Sequence, residues 1–407
     1  MNINQVINLF TYAVLLIGAF GFFTLSLILF LECFAALLPS DIPKHVNDGQ
    51  PKKVAVLIPA HNEEQVISST LLEIKSQLTN QHQLVVVADN CSDKTAAIAR
   101  EIGAKVIERE DPICRGKGYA LDYGLRLIES EPPDIVVFCD ADCKVEPGAI
   151  DKLVQYAIAT NRPVQATYLM EKSCDASPKE SVSVFAFKLK NLVRLRGLAK
   201  LGIPCLLTGT GMAFPWSVIK SVDLASGYIV EDMKLGLDLA IAGYAPVFCS
   251  EANVTALLPK KTQAVKSQRT RWEHGHLKTL LTYVPKLIGE SIKQARLDLL
   301  LSGLDLCVPP LSLLMLIWLM LVTVTFGLGL LTNIWMPVAI LALASLLLLS
   351  GILIAWMKFG RTDLPLLQLL AIPLYILGKI PLYLKFLVKP QNSWIRTERD
   401  STNISQS

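Results

Sequence analysis

The first half of the chain alternates short apolar runs with helical patterns, and this alternation predicts an α/β domain. Runs rich in Val, Ile and Leu lie at Val54–Ile58, at Leu84–Ala88 and from Val136 onward, as is typical of strands buried on both faces. Apolar residues at helical spacing follow the first run, and a second helix is predicted from Ala96 to Gly103. Because strand and helix alternate, the pattern predicts a parallel or mixed sheet with helical crossovers.

Longer apolar segments predict helices that span a membrane. Leu9–Leu31, Leu311–Leu331 and Trp335–Met357 each reach the roughly 20 residues that a helix needs to cross a bilayer. The first is predicted to remain as an anchor, because residues 1–8 carry no Lys or Arg and so do not resemble the start of a cleaved signal sequence. The segment 364–388 is interrupted by prolines and predicts either a kinked span or a re-entrant or interfacial helix.

Polar residues follow each predicted strand where it ends, and the carboxyl ends of parallel strands share one edge of a sheet. The first strand runs into the segment Pro59–Glu64, the second into Asp89–Asp93 and the third into Asp140 and Asp142. Two carboxylates separated by one residue suit Mg²⁺ or Mn²⁺ held against a diphosphate. For Asp140 and Asp142, and likewise for Asp89 and Asp93, the alternative is a capping role at the start of the helix that follows.

Two further polar segments are candidates for binding or catalysis. Lys117 lies between glycines, so it can approach a phosphate closely, and Arg115 either does the same or belongs to a solvated basic loop. Glu231 and Asp232 begin a predicted helix, where the helix dipole stabilises anions, so simple capping is the alternative to a catalytic role.

These segments occur in an order that resembles the family 2 inverting glycosyltransferases, the superfamily of cellulose, chitin and hyaluronan synthases. The resemblance covers residues 52 to about 280, and its motifs are Ile58–Glu64, Ala88–Asp93, Arg115–Leu121, Asp140–Asp142, Gly209–Gly211, Glu231–Asp232 and Gln268–Trp272. It implies a GT-A type, Rossmann-like mixed-sheet domain together with transmembrane α-helices.

The resemblance also implies a role for each motif. Asp232 would be the catalytic base, and Asp142 with Asp140 would hold Mg²⁺ or Mn²⁺. Nucleotide-sugar binding would involve Pro59, Ala60, Asn62, Glu63, Asp89, Lys117, Asp140, Gln268 and Arg271. The acceptor would be bound by Gly209, Thr210, Gly211, Glu231 and Trp272.

The segment Gln268–Trp272 is expected to form a loop in which Arg271 binds the diphosphate and the Trp272 ring stacks on a sugar. A basic aromatic segment at the membrane interface is the alternative. His274 and His276 follow in a Glu-His-Gly-His sequence, and we assign them no metal-ligand role.

Composition narrows the class of protein. The chain has 407 residues, 52% of them hydrophobic, which is too apolar for a simple soluble enzyme of this size. A net charge of +4 gives no reason to expect nucleic acid as a partner. Cys139 and Cys143 flank the paired acids but complete no zinc-ligand pattern, so reduced core residues are expected.

The predicted organisation is an anchor at 1–40, a glycosyltransferase domain at 41–275, an amphipathic interfacial linker at 276–300, transmembrane helices at 301–390 and a polar tail at 391–407. Basic residues near the spans fall between 42 and 300, which predicts a multi-pass membrane protein with a cytoplasmic catalytic domain; they include Lys44, Lys52, Lys53, Lys286, Lys293 and Arg296. The segment 185–200 predicts an amphipathic helix that lies on anionic membrane lipids or packs on the domain core.

The sequence therefore predicts a membrane-anchored inverting glycosyltransferase. It would move a sugar from a nucleotide-sugar, expected to be a UDP-sugar, to a polysaccharide or lipid-linked saccharide, and polysaccharide export partners are a further expectation. One rival is a non-catalytic assembly or secretion subunit. Another is a nucleotidyltransferase, which has similar strands and paired acids but does not require Asp232 or the pair Arg271 and Trp272.

Overall fold

The computed structural model describes residues 3–39, 52–172, 176–258 and 262–391. Lys44, the predicted boundary between 40 and 41 and the tail from 392 to 407 lie outside the described residues.

A mixed sheet of eight strands forms the centre of the described sheet domain, in the order β3-β2-β1-β4-β7-β6-β8-β5. The strands are β1 Val54–Ala60, β2 His82–Asp89, β3 Lys105–Arg109, β4 Ile135–Phe138, β5 Cys143–Val145, β6 Val164–Glu171, β7 Met212–Pro215 and β8 Val247–Leu257. The first four strands pair in parallel, whereas β7 is antiparallel to both β4 and β6. The predicted mixed α/β sheet is confirmed.

Helices cover both faces of the sheet, and a second group of helices forms an apolar bundle. They are α1 Ile3–Ala35, α2 Ile67–Lys75, α3 Thr95–Ile102, α4 Lys117–Ile128, α5 Ala149–Thr160, α6 Pro178–Lys188, α7 Leu195–Lys200, α8 Trp216–Ile219, α9 Glu231–Ile241, α10 Thr262–Lys293, α11 Leu297–Cys307, α12 Leu311–Thr332, α13 Met336–Ala355, α14 Ile372–Leu377 and α15 Ile380–Val388. Leu189–Arg194 and Trp356–Gly360 are π-helical, and Leu366–Ala371 is a 3₁₀-helix.

The central strands are apolar on both sides because each face is covered by helices. One face packs against α2, α3 and α5 in a cluster that includes Leu71 and Ile150. The other packs against α4 and α9 in a cluster that includes Leu121 and Leu239. This burial leaves the carboxyl ends of β1, β2 and β4 as the place where polar side chains can gather.

The described residues include four helical segments that are long and apolar enough to cross a membrane: Asn8–Ala35, Leu311–Thr332, Met336–Gly360 and Leu366–Val388. The first three agree with the predicted spans to within a few residues. The fourth is broken near both of its prolines, and α14 and α15 each carry Pro in their first turn. Broken helical geometry is compatible with both of the predicted arrangements for this segment.

The amphipathic stretch 185–200 packs in a way that neither predicted alternative describes fully. Phe185, Leu189 and Val193 lie in one apolar cluster with residues of α1, α12 and α13, the membrane-side helices. Leu195 and Leu198 instead pack with Phe248 of the sheet domain. The stretch is thus buried between the sheet domain and the membrane-side helices.

Arg194 and Gly197 fix this stretch to α1. The guanidinium of Arg194 is bonded to Glu32 of α1, with Nε–Oε2 at 2.6 Å, and to Asp305 of α11, with Nη2–Oδ1 at 2.5 Å. All three side chains are buried. A Cβ at Gly197 would overlap the carbonyl oxygen of Glu32, so only glycine permits this approach of the two helices.

The long helix α10 joins the sheet domain to the membrane-side helices without a break, although Pro285 lies inside it. The predicted boundary between residues 275 and 276 falls within this helix. The division into domains that was drawn from the sequence stays a prediction.

Candidate active site

A cavity of about 710 Å³ opens at the carboxyl ends of β1, β2 and β4 and extends to the membrane-side helices. Most of the side chains singled out from the sequence line it: Pro59, Ala60, Glu63, Asp89, Lys117, Asp140, Asp142, Gly209, Glu231, Asp232, Gln268, Arg271 and Trp272. Asn62, Thr210 and Gly211 are not among the lining residues. Asn62 and Thr210 instead form hydrogen bonds with residues of the surrounding turns. Residues more than 200 positions apart in sequence therefore meet in one space.

The turns after β1 and β2 are bound to each other. Nδ1 of His61 lies 2.6 Å from the carbonyl oxygen of Asp89, and the backbone N–H of Glu63 donates to Oγ1 of Thr95 at 2.8 Å. The amide oxygen of Asn62 accepts from the N–H of Ser92 at 2.7 Å. Asn62 does not line the cavity but joins the two turns that border it.

Asp89 and Asp93, for which capping was the alternative, differ in their surroundings. Asp93 accepts from the N–H of Thr95 at 3.0 Å, at the start of α3, which fits the capping alternative. Asp89 is instead buried and paired with Arg109, with Nη1–Oδ1 at 2.6 Å. Arg109 was missed by the sequence reasoning because its side chain meets Asp89 only when β3 lies beside β2. This pairing fixes the Asp89 carboxylate at the cavity wall.

The paired acids form the candidate metal site. Oxygens of Asp140 and Asp142 and the sulfur of Cys143 lie within 4.8 Å of one another. Burial and the charge of Asp142 raise the pKa of the Cys143 thiol well above its usual range, so the sulfur stays protonated and is a poor ligand. The remaining donors are carboxylate oxygens, which fit Mg²⁺ or Mn²⁺.

Lys117 connects the paired acids to the glycine turn. Its ammonium group is bonded to Oδ1 of Asp140 and donates to the carbonyl oxygen of Gly209 at 2.6 Å. Burial alone would lower the pKa of Lys117, but the carboxylates of Asp140, Glu231 and Asp232 outweigh it and raise the pKa above the usual value. The lysine is therefore a fixed positive charge among the acids.

The glycine turn brings Asp232 close to Lys117. Gly209 has φ of +99°, which favours glycine, and a Cβ there would lie 3.3 Å from Oδ2 of Asp232 and 3.8 Å from Nζ of Lys117. Oγ1 of Thr210 accepts from the N–H of Asp140 at 3.0 Å. The turn thus positions the backbone of Asp140 through Thr210, and the absence of a side chain at Gly209 leaves room for the Asp232 carboxylate.

Glu231 and Asp232 begin α9, as the sequence predicted, and both carboxylates face the cavity. Burial, with the neighbouring charge of Asp232, raises the pKa of Glu231 to about 7. Burial also raises the pKa of Asp232, against the opposing effect of Lys117. The Glu231 carboxyl therefore takes up a proton near neutral pH, so the charge of this pair changes in the range where a general base is most effective.

We expect the kcat/KM of the reaction at this site to fall as the pH drops through about 7, because the acid pair takes up a proton there. Glu231→Gln removes the carboxyl group whose pKa is about 7, so the acidic limb of the pH profile should move to lower pH, where Asp232 itself takes up a proton. Steady-state rates between pH 5 and 9 measure this. An unchanged limb in the variant would show that the limb does not arise from this pair.

Gln268, Arg271 and Trp272 lie on α10, so the prediction that they form a loop was wrong. The Trp272 ring packs against Phe187 with centroids 5.6 Å apart and also lines the cavity. Helical geometry puts Gln268, Arg271 and Trp272 on neighbouring turns of one face, since residues three and four apart are adjacent. The interfacial alternative is not needed to explain their positions.

Lys190 and His276 also line the cavity, although sequence reasoning singled out neither as a site residue. Lys190 lies on the π-helical stretch between α6 and α7, close enough to Asp232 for the two charges to affect each other's pKa. His276 is one turn beyond Trp272 on α10 and is 4% exposed. The sequence does not indicate that Lys190 and His276 are near each other, because the segments that carry them, Leu189–Arg194 and α10, meet only in the folded protein.

Comparison with known proteins gives consistent relatives. A family model described as "Glycosyltransferase like family 2" matches residues 51–275. The chain is 27% identical to the "Probable glycosyltransferase YdaM" of Bacillus subtilis, with 64% of each chain covered. It is 30% identical to the "4,4'-diaponeurosporenoate glycosyltransferase" of Staphylococcus haemolyticus, with 46% of this chain and 51% of the relative covered. The chain thus spans roughly half to just under two thirds of these curated relatives.

Among solved structures, the fold is similar to that of the "Mannosyltransferase PcManGT from Pyrobaculum calidifontis in complex with GDP-Man and Mn2+". The TM-score is 0.52 at 17% identity, with 93% of this chain and 99% of that chain covered. At this identity the likeness concerns the fold. The predicted GT-A type sheet with apolar helices is confirmed.

Proposed function

Because the chain belongs to the glycosyltransferase-like family 2, we propose that it is a membrane-anchored inverting glycosyltransferase. It moves a sugar from a nucleotide-sugar, a UDP-sugar in our proposal, to a polysaccharide or lipid-linked saccharide. One observation carries this proposal: the paired acids, Lys117, the Glu231–Asp232 pair and the Arg271–Trp272 pair line a single cavity.

The donor occupies the end of the cavity formed by the turns after β1 and β2. Pro59, Ala60 and Glu63 lie beneath the nucleotide, and Asp89, held by Arg109, accepts hydrogen bonds from its ribose or base. Lys117 and Arg271 face the diphosphate, since cationic donors recognise phosphate oxygens, and the Gln268 amide donates a neutral hydrogen bond to it.

Asp142 and Asp140 would hold Mg²⁺ or Mn²⁺ beside the diphosphate. The cation, when bound, neutralises charge that develops on the leaving group. Since Lys117 is bonded to Asp140, Asp142 is the principal ligand in our proposal, and Asp140 shares its charge between the lysine and the cation.

Asp232 takes the proton from the acceptor hydroxyl as that oxygen attacks the anomeric carbon from the face opposite the diphosphate. The sugar is transferred in one displacement, which inverts its configuration. Glu231 and the Gly209–Gly211 turn shape the acceptor subsite, and the Trp272 ring offers an apolar face to a sugar ring. The raised pKa of Asp232 supports its assignment as base.

The chain is a membrane protein by the length and composition of its apolar helices. We propose that the sheet domain is cytoplasmic, because the basic residues near the spans lie on its side of the membrane. Export partners for a polysaccharide product belong to the same proposal. A nucleotidyltransferase is less well supported, because it gives no role to Asp232 or Trp272.

The direct test is a panel of nucleotide-sugars incubated with the purified protein in lipid, with release of the nucleoside diphosphate as the measurement. UDP-sugars and GDP-mannose should be included, each with and without EDTA. We expect release from at least one donor, and its suppression by EDTA. No turnover of any donor by folded protein, across a range of saccharide and lipid-linked acceptors, would contradict the proposal.

Two variants separate the donor half of the cavity from the acceptor half. Trp272→Ala should suppress transfer to a saccharide acceptor by roughly fivefold to tenfold while slow hydrolysis of the donor by water continues, because an aromatic contact of this kind contributes about 1–1.5 kcal/mol. Arg271→Ala should suppress both reactions, because the diphosphate loses a charge-assisted partner. Nucleotide release and labelled product are measured in the same reaction.

Leu281→Ala is the matched control, since Leu281 is an exposed apolar residue on α10 outside the cavity lining. Equal loss of transfer and hydrolysis in Trp272→Ala, with the protein folded, would mean that the Trp272 ring only packs α10 against Phe187 and does not bind the acceptor.

A further inference from the structure

The cavity continues beyond the acid pair into a part that the proposed chemistry does not use. Its wall there comes from helices that are long and apolar enough to cross a membrane: Leu29 of α1 and Leu311 and Leu314 of α12, with Val308 and Pro310 before α12. A soluble sugar has no need of such a wall. The wall is suited to an aliphatic chain, because transfer of methylene groups from water to an apolar surface is favourable.

The same cavity is lined by polar groups that lack hydrogen-bond partners in the described protein. Neither ring nitrogen of His276 has a hydrogen bond; the backbone of Leu306 and Val308 lies near the ring but outside bonding geometry. The amide oxygen of Asn191, on the neighbouring helix, is also buried without a partner. A buried polar group without a hydrogen-bond partner is unfavourable, so these groups point to a ligand.

Lys190 adds a positive charge to this group. It lines the cavity, no ion pair or hydrogen bond of its ammonium group occurs within the described residues, and burial lowers its pKa. Burial also lowers the pKa of His276 well below its usual value, so the imidazole is neutral and can donate one hydrogen bond. A single cation with a neutral donor suits one anionic group.

We propose that the acceptor is an amphiphile whose single anionic group, a phosphate or a carboxylate, is bound by Lys190 and His276 while its apolar chain lies against Leu29, Val308 and Leu314. This rests on the proposed function and narrows its acceptor to a lipid. This amphiphile also carries a hydroxyl, which reaches Asp232 from the membrane side and gives its proton to that carboxylate, while the donor arrives from the opposite end of the cavity.

The test measures binding and needs no turnover. Purified protein in a neutral detergent is titrated by calorimetry with dodecyl phosphate, with dodecanoate and, separately, with UDP. Lys190→Gln should weaken binding of the anionic amphiphile by about tenfold or more, because a charge-assisted hydrogen bond is lost. Lys190→Arg should restore most of it, and UDP affinity should not change in either variant.

Lys179→Gln is the matched control, because Lys179 is an exposed cation on α6 outside the cavity lining. Binding of dodecyl phosphate alone would identify a phosphate lipid, and binding of dodecanoate alone a carboxylate lipid. If neither binds, or if Lys190→Gln binds both as wild type does, the inference is wrong. A fall in UDP affinity would assign Lys190 to the donor and overturn the lipid subsite, while the proposed glycosyltransferase activity would still stand.

Discussion

Asp232→Asn should lower the rate of sugar transfer by about 10²- to 10⁴-fold, the range that a general base contributes. The amide keeps the size of the carboxylate but cannot take the acceptor proton. Donor affinity should remain near that of wild type, because Lys117 and the paired acids are unchanged. Steady-state rates with saturating donor and UDP binding by calorimetry measure the two effects separately.

The control for this variant is Asp151→Asn, an exposed acid that also lies in the first turn of a helix, α5. If Asp232 served only to stabilise the start of α9, the two variants would lose helix stability alike and neither would lose rate selectively. Loss of UDP binding in Asp232→Asn, with a normal rate for each bound donor, would move Asp232 to the nucleotide site and make Glu231 the candidate base.

Asp142→Asn should abolish turnover that depends on a divalent cation, with a fall of at least about 100-fold, because cation stabilisation of the leaving group amounts to several kcal/mol. Removing one carboxylate leaves Asp140 alone, and Asp140 is already bonded to Lys117. Titration with Mn²⁺ in the presence of UDP should reveal weaker cation binding by the folded variant.

Asp151→Asn serves again as the control, since it removes an equal charge far from the cavity. Wild-type turnover by Asp142→Asn in saturating EDTA would contradict the assignment of this residue. Full turnover by the wild-type protein in EDTA would go further and remove the cation from the proposal.

The parallel half of the sheet and its acids were accessible from the sequence because each depends on local pattern. A buried strand such as β1 or β4 is a continuous apolar run, and the polar residues at its end are read directly after it. A mixed sheet was predicted, but the strands of its antiparallel half were not located, since β5 and β7 are short and their pairing with β8 and β4 depends on distant segments.

The surroundings of the acids could not be read from the sequence for a similar reason. The partner of Asp89 is Arg109, on the next strand, and Lys190 and His276 reach the cavity from two separate helices. The helix α10, which carries Gln268–Trp272, packs on α9, where the Tyr283 hydroxyl donates to Asp238 at 3.0 Å, and this contact also joins segments far apart in the sequence. A motif gives residue types, whereas tertiary contacts choose the backbone that carries them.

An amphipathic face presents the same limit. The apolar positions of the stretch 185–200 predicted that something covers them, and the sequence left membrane lipid and the domain core as alternatives. In the structure these positions are covered by the membrane-side helices and by the sheet domain. Arg194 forms ion pairs with Glu32 and Asp305 where the two meet.

The close junction at Arg194 and Gly197 means that the sheet domain is not a detachable module. A shortened protein that lacks α1 would leave the buried Arg194 with Asp305 but without Glu32, and the loss of a member from a buried ionic network is destabilising. It would also expose the apolar side chains of Phe185, Leu189 and Val193 to water. The first apolar helix and the sheet are therefore one folding unit, and under the proposed membrane anchoring the distance of the candidate site from the lipid is set by packed structure.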